Sequence, residues 1–183
     1  MLTKPTIHPI AGHGLNDYQP ATGTMIRKIL IGRTAIGIAE EAIALIKPVA
    51  DKQRRKYIKN SQVPLKDFGG LFRGLAKQFQ GELSKLKNSR LRKLALPVMI
   101  PRGFGLPTTP DESGTLLLTI SNGPRHGIII CSEIGEQAAP LSSFTKTKNG
   151  DIAGMAEISD NEELPVLNYA SILEREGFLS IPA

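Results

Sequence analysis

The sequence predicts an α+β protein: a basic N-terminal helical region of about three helices, then a small antiparallel β domain with a C-terminal helix. Three observations lead there. Charge is divided along the chain. Residues 1–103 carry 19 Lys and Arg against 6 Asp and Glu, a net of +13, whereas residues 104–183 carry 4 against 11, a net of −7. Apolar residues recur at helical spacing in the first part and in continuous runs in the second. Between the two lies "LPVMIPRGFGLPTTPDESG", whose prolines and glycines favour neither helix nor strand.

Residues 1–22 read as an irregular arm, because Pro5, Pro9, Pro20, Gly12 and Gly14 leave no room for a helix. The basic helical region spans 23–95. Its first helix is read over Thr24–Lys47, where Ile29, Ile36 and Ile43 recur every seven residues and Ala39, Ala42 and Ile46 fill the same face. Pro48 ends it. Val49–Asn60 is a second, very polar helix. Residues 61–70 form a linker containing Pro64 and Gly69–Gly70. From Leu71 to about Lys87, the residues Phe72, Leu75, Phe79, Leu83 and Leu86 form the apolar stripe of a third helix, which breaks near Asn88–Ser89.

The connector occupies 96–114 and the acidic β-rich domain 115–183. There "TLLLTI" and "GIIICSEI" flank "SNGPRH" as a hairpin with a long loop, and their unbroken apolar runs imply strands covered on both faces. "FTKTKNGDIAGMAEI" reads as a second hairpin turning at Asn149–Gly150. The chain then enters a short helix capped near Asn168 and stopped at Gly177.

One cysteine excludes an intrachain disulfide, and no apolar run is long enough to span a membrane as a helix. The Pro-rich start carries no signal-peptide core, so a soluble chain is expected, cytoplasmic or inside a virion or nucleoprotein particle. Catalytic signatures are weak. His8 and His13 have no cysteine nearby to complete a metal site. His126 and Cys131 are the one conceivable nucleophilic pair. Arg125 and His126 are read at the hairpin tip. "GHG" and "RGFG" lack a phosphate-loop pattern. Asp111–Glu112 and Glu162–Glu163 read as loop carboxylates serving solubility or a charged interface. Neither a cofactor nor a metal is expected.

The informative stretch is "DKQRRKYIKN", Asp51–Asn60, with five cations between positions 52 and 59. At 100° per residue, Lys52, Arg55, Lys56 and Lys59 fall on one stripe roughly 10 Å long. Arg54 turns away toward the body of the protein, and Asp51 is the one nearby acid, in reach of Arg55. Such a stripe suits phosphates, an acidic protein surface or plain solvation. Lys85, Arg92 and Lys93, with Lys87, Arg90 and Arg102, form a second cluster, and Arg125 adds a further cation. The expectation is a non-enzymatic structural assembly subunit that binds nucleic acid by its phosphate backbone and forms a homo-oligomer. Its phosphate-binding residues would be Lys52, Arg55, Lys56, Lys59, Lys85, Arg92, Lys93 and Arg125. A monomeric or dimeric nucleic-acid-binding regulator, and an enzyme with an unrecognised site, remain the alternatives. The acidic "SDNEEL" segment, 159–164, is the partner the chain itself offers to the stripe.

Overall fold

The computed structural model describes residues 18–68, 94–158 and 161–179. Strand accounts for 49% of these residues and helix for 19%, with two α-helices among them. This overturns the expected helical N-terminal region. In chain order the elements are β1 (Met25–Ile31), β2 (Thr34–Ala39), β3 (Ile43–Pro48), α1 (Asp51–Asn60), β4 (Gln62–Pro64), β5 (Ala95–Pro97), β6 (Leu116–Asn122), β7 (Arg125–Cys131), β8 (Glu133–Ile134), β9 (Ala139–Asn149), β10 (Ile152–Ile158), β11 (Glu162–Leu167), α2 (Tyr169–Glu176) and β12 (Phe178–Leu179). Short 3-10 turns lie at Glu40–Ala42 and Leu65–Phe68.

The helix expected over Thr24–Lys47 is instead three strands, and its seven-residue repeat has a different origin. The β1–β2 hairpin turns on Gly32–Arg33, and its register sets Ile29 directly opposite Ile36. A helix places residues seven apart two turns above one another; a two-residue hairpin places these two face to face. The isoleucines favour the second arrangement, since a β-branched side chain loses rotamer freedom in a helix and packs well on a pleated surface. Alternation is also present: Ile29 and Ile31, then Ile36 and Ile38, are all buried. The third expected helix, beginning at Leu71, lies outside the described residues.

Five strands close into a barrel. β1 pairs antiparallel with β2, β2 runs parallel to β11 at Gly37 and Val166, and β11, β10 and β9 follow antiparallel. β9 then returns to β1 at Pro140–Met25 and Ala139–Ile26. The rest of that edge of β1 is taken by β8. Closure removes the unpaired edges that an open sheet would expose.

Beside the barrel lies a second sheet in the order β12-β7-β6-β3. Its central strands are buried on both faces, as their unbroken apolar runs require. Leu118, Ile120, Ile129 and Cys131 join the barrel residues and Ile172 and Leu173 of α2 in one core. Leu117, Ile128 and Ile130 point the other way, into a second core with Val49, Tyr57, Val63, Leu65, Phe68, Leu96 and Val98. That second core is roofed by α1 and the β4–β5 pair.

Both expected hairpins form, with different turns. β6 and β7 pair up to Asn122 and Arg125, leaving a two-residue loop in place of the long one. Gly123 stands at φ 58, and Pro124 is held near −65° by its ring. That combination marks a type II′ turn, which matches the twist of the flanking strands. In the second hairpin Asn149 pairs with Ile152, so the loop is Gly150–Asp151, one residue later than expected. The C-terminal helix forms where the sequence places it. Asn168 Oδ1 accepts from the Ser171 amide at 3.0 Å, and the Gly177 amide closes the last turn on Leu173 at 2.8 Å.

The expected connector 96–114 begins inside β5 and, after the Val98 bridge to Ile128, runs irregularly but tied down along its length. The Met99 amide donates to Ile128 O at 2.7 Å. Asp151, 1% exposed, accepts from the Arg102 amide at 2.6 Å and from both terminal nitrogens of Arg175, at 2.5 and 2.9 Å. This pairing holds the Arg175 guanidinium charged more firmly than usual, the Asp151 hydrogen bonds outweighing burial. Asp111, 4% exposed, accepts from the amides of Gly32 and Ser113 at 2.8 and 3.1 Å, from Ser113 Oγ at 2.7 Å and from Ser132 Oγ. Burial raises its pKa, but these four donors outweigh burial and hold the carboxyl below the usual range. Asp111 is therefore an internal tie, in contrast to the solvated carboxylate its loop position suggests.

Candidate functional site

The helix carrying the basic stripe forms over Asp51–Asn60, two residues shorter at its start than the expected Val49–Asn60. It follows Pro48, which cannot continue a strand interior, and the Val49 amide bonds to Thr115 O at 2.9 Å. Asp51 sits in the first turn and Lys59 in the last, each favourable to the helix dipole. Ser61 ends the helix in the left-handed region at φ 54, its amide returning to the carbonyls of Tyr57 and Ile58.

A helix this polar stays in place by its inner face. Arg54 is 7% exposed and Tyr57 1%. Arg54 Nη1 donates to Gly114 O at 3.0 Å and to Asp51 Oδ1 at 2.8 Å. The Tyr57 hydroxyl donates to Asp67 Oδ2 at 2.9 Å, and burial, aided by that carboxylate, pushes its pKa up to about 12. Tyr57 is thus a packing residue and is not available to stack on a base.

The outer face is left to Lys52, Arg55, Lys56 and Lys59. All four are exposed, and none has an ion-pair partner among the described residues. Asp51, expected beside Arg55, pairs with Arg54 while its own side chain stays exposed, so none of the four stripe cations has it as an ion-pair partner. The "SDNEEL" segment does not compensate the stripe either where it is described. Glu162 pairs with Lys28 on the barrel, while α1 covers the opposite side of the second sheet. Like charges at this spacing repel by a few tenths of a kcal/mol per pair, which the fold tolerates without visible compensation.

The remaining sequence candidates separate. Lys85, Arg92 and Lys93 lie outside the described residues, as do Lys87 and Arg90. Arg125 is not at a loop tip; it begins β7, and its Nε pairs with Glu174 of α2 at 2.9 Å. His126 is likewise in the strand, 2% exposed, with Nδ1 2.6 Å from Ser121 Oγ, and burial depresses its pKa to about 4. His126 and Cys131 stand an odd number of residues apart on β7, so they face opposite sides of the sheet. Burial, with Asp111 nearby, pushes the Cys131 thiol up to about 12, the reverse of an activated nucleophile. Among the described residues no group of three His, Cys, Asp or Glu side chains is placed to hold a metal. No helix among them is long and apolar enough to cross a membrane.

One feature escaped the sequence reading. In "RGFGL", Phe104 is 43% exposed and has a left-handed backbone at φ 45. Its loop is wedged between two hairpin turns. Thr34 Oγ donates to Gly105 O at 2.9 Å from the β1–β2 turn, and Asn149 Oδ1 accepts from the Phe104 amide at 3.3 Å beside the β9–β10 turn. Gly103, at φ 106, presses so closely on the Asn149 backbone that no Cβ fits. The glycines on either side of an aromatic residue are the sequence signal of this loop.

No family model and no curated protein matches this chain.

Proposed function

We propose that the protein is a nucleic-acid-associated assembly subunit that takes a phosphate backbone on the outer face of α1. The observation carrying this reading is the helix's division of labour. Arg54 and Tyr57 turn inward, to Gly114 O and Asp67, and Lys52, Arg55, Lys56 and Lys59 are left exposed without an ion-pair partner among the described residues. A stripe roughly 10 Å long meets several phosphates of a duplex, which carries about one charge per 1.7 Å of axis. Lys and Arg in that role hold and orient the polymer without reading its sequence. Binding releases condensed counterions, so affinity falls steeply with salt.

The test is binding to random-sequence DNA and RNA over a range of salt, with the protein carrying Lys52→Glu and Lys56→Glu alongside the parent. Weaker binding and a shallower salt dependence support the reading; unchanged affinity and slope overturn it. The assembly part keeps the homo-oligomer expected from the sequence; the fold interleaves the basic and acidic halves, pairing β1 with β9, β2 with β11 and β3 with β6, so their opposite charges do not by themselves set a head-to-tail polarity. A molecular mass in solution that stays monomeric at high concentration, with and without nucleic acid, refutes that part.

A further inference from the structure

We infer that Phe104 is a stacking platform for an unpaired base, so that the strand taken by the protein is single-stranded where it crosses the end of the barrel. This rests on the reading of the protein as a nucleic-acid binder, but on residues separate from α1. A bulky aromatic in the left-handed region is strained and persists only where its surroundings hold it. Here the surroundings do so from both sides. The Thr34 hydroxyl fixes Gly105, the Asn149 side chain fixes the Phe104 amide, and Asp151 fixes the Arg102 amide. The ring is only partly covered in this arrangement: it is one of two large apolar side chains among the described residues left exposed.

The cations around it complete the site. Arg102 is two residues before the ring, and Arg33 is in the β1–β2 turn, next to the Thr34 that holds the loop. Both are exposed, and neither has an ion-pair partner among the described residues. A part-exposed aromatic ring with two exposed arginines on the adjoining backbone is the chemistry of a nucleotide site: base on ring, flanking phosphates on arginine. Stacking needs a base out of its helix, so the ring discriminates single strand from duplex, whereas a cationic stripe alone does not.

The probe is a short oligothymidylate against a blunt random-sequence duplex, with Phe104→Ala, Phe104→Asn and Phe104→Trp. Asn tolerates the left-handed backbone and removes the ring, which separates loss of stacking from loss of loop shape. Both F104A and F104N are expected to bind the single strand at least tenfold more weakly. Their salt slope should be unchanged, because stacking carries no charge, and their duplex affinity should hold within twofold. F104W should retain binding. The chain has no other Trp, so quenching of the F104W fluorescence on saturation reports this position alone. Arg33→Gln with Arg102→Gln should reduce the single-strand salt slope by about 1.4, at about 0.7 per phosphate. Single-strand affinity unchanged in F104A and F104N, or F104W fluorescence indifferent to saturating oligothymidylate, overturns the inference. The α1 reading fails separately: Lys52→Glu with Lys56→Glu would then change nothing while the Phe104 variants still lose single-strand binding.

Discussion

Two regions of this molecule handle charge in opposite ways. Around Asp111 and Asp151, buried carboxylates are saturated with donors: four on Asp111, and on Asp151 an amide and both arms of Arg175. Along the outer face of α1, four cations have no ion-pair partner among the described residues. The difference shows which charges serve the fold. A carboxylate withdrawn from water must be compensated where it sits. The charges on α1 cost the fold little and contribute little to it, so they stay available to a partner outside the chain.

The sharpest way to break that comparison is at Asp151. Asp151→Ala leaves the Arg102 amide without its acceptor and Arg175 without its principal partner. It is expected to destabilise the protein by about 3 kcal/mol, lowering the melting temperature by about 6–12 °C. A loss under about 1 kcal/mol would mean that the network is ornamental and the contrast false.

His126 comes next. Burial lowers its pKa from 6.5 to about 4, so between those values the unfolded chain binds more protons than the folded one. Stability should therefore fall as pH drops from 6.5 toward 4, by up to ~3 kcal/mol. Denaturant unfolding across that range checks it, and His126→Gln should flatten the profile above pH 5, where carboxylates add least.

On the other side of the comparison, Lys52→Glu with Lys56→Glu should move stability by no more than about 0.5 kcal/mol, and upward if at all, since it relieves like-charge repulsion on one helix face. A marked loss would show that the stripe has partners in the folded chain.

What could be read in the sequence was local. α1 and α2 are bounded by Pro48, Asn168 and Gly177, and the hairpins by Gly123 and Gly150, all residues that act within a few positions of themselves. β1 to β3 could not be read this way, because the Ile29–Ile36 spacing fits a helix and a two-residue hairpin equally well. Only pairing with distant strands, such as Met25 with Pro140 and Gly37 with Val166, decides for the barrel. The same distinction governs the sites. The stripe was legible because its four residues lie on one real helix. The burial of Asp111 and His126 and the holding of the Phe104 loop depend on contacts made far along the chain.

The most direct test of the central claim is the salt dependence of affinity for random-sequence duplex DNA, measured for the parent and for Lys52→Glu with Lys56→Glu. Each phosphate neutralised contributes about 0.9 to the slope of log affinity against log salt. If the outer face of α1 holds the backbone, the double variant binds more weakly and its slope is shallower by about 2. If affinity and slope match the parent, α1 does not meet phosphate and the proposal is wrong.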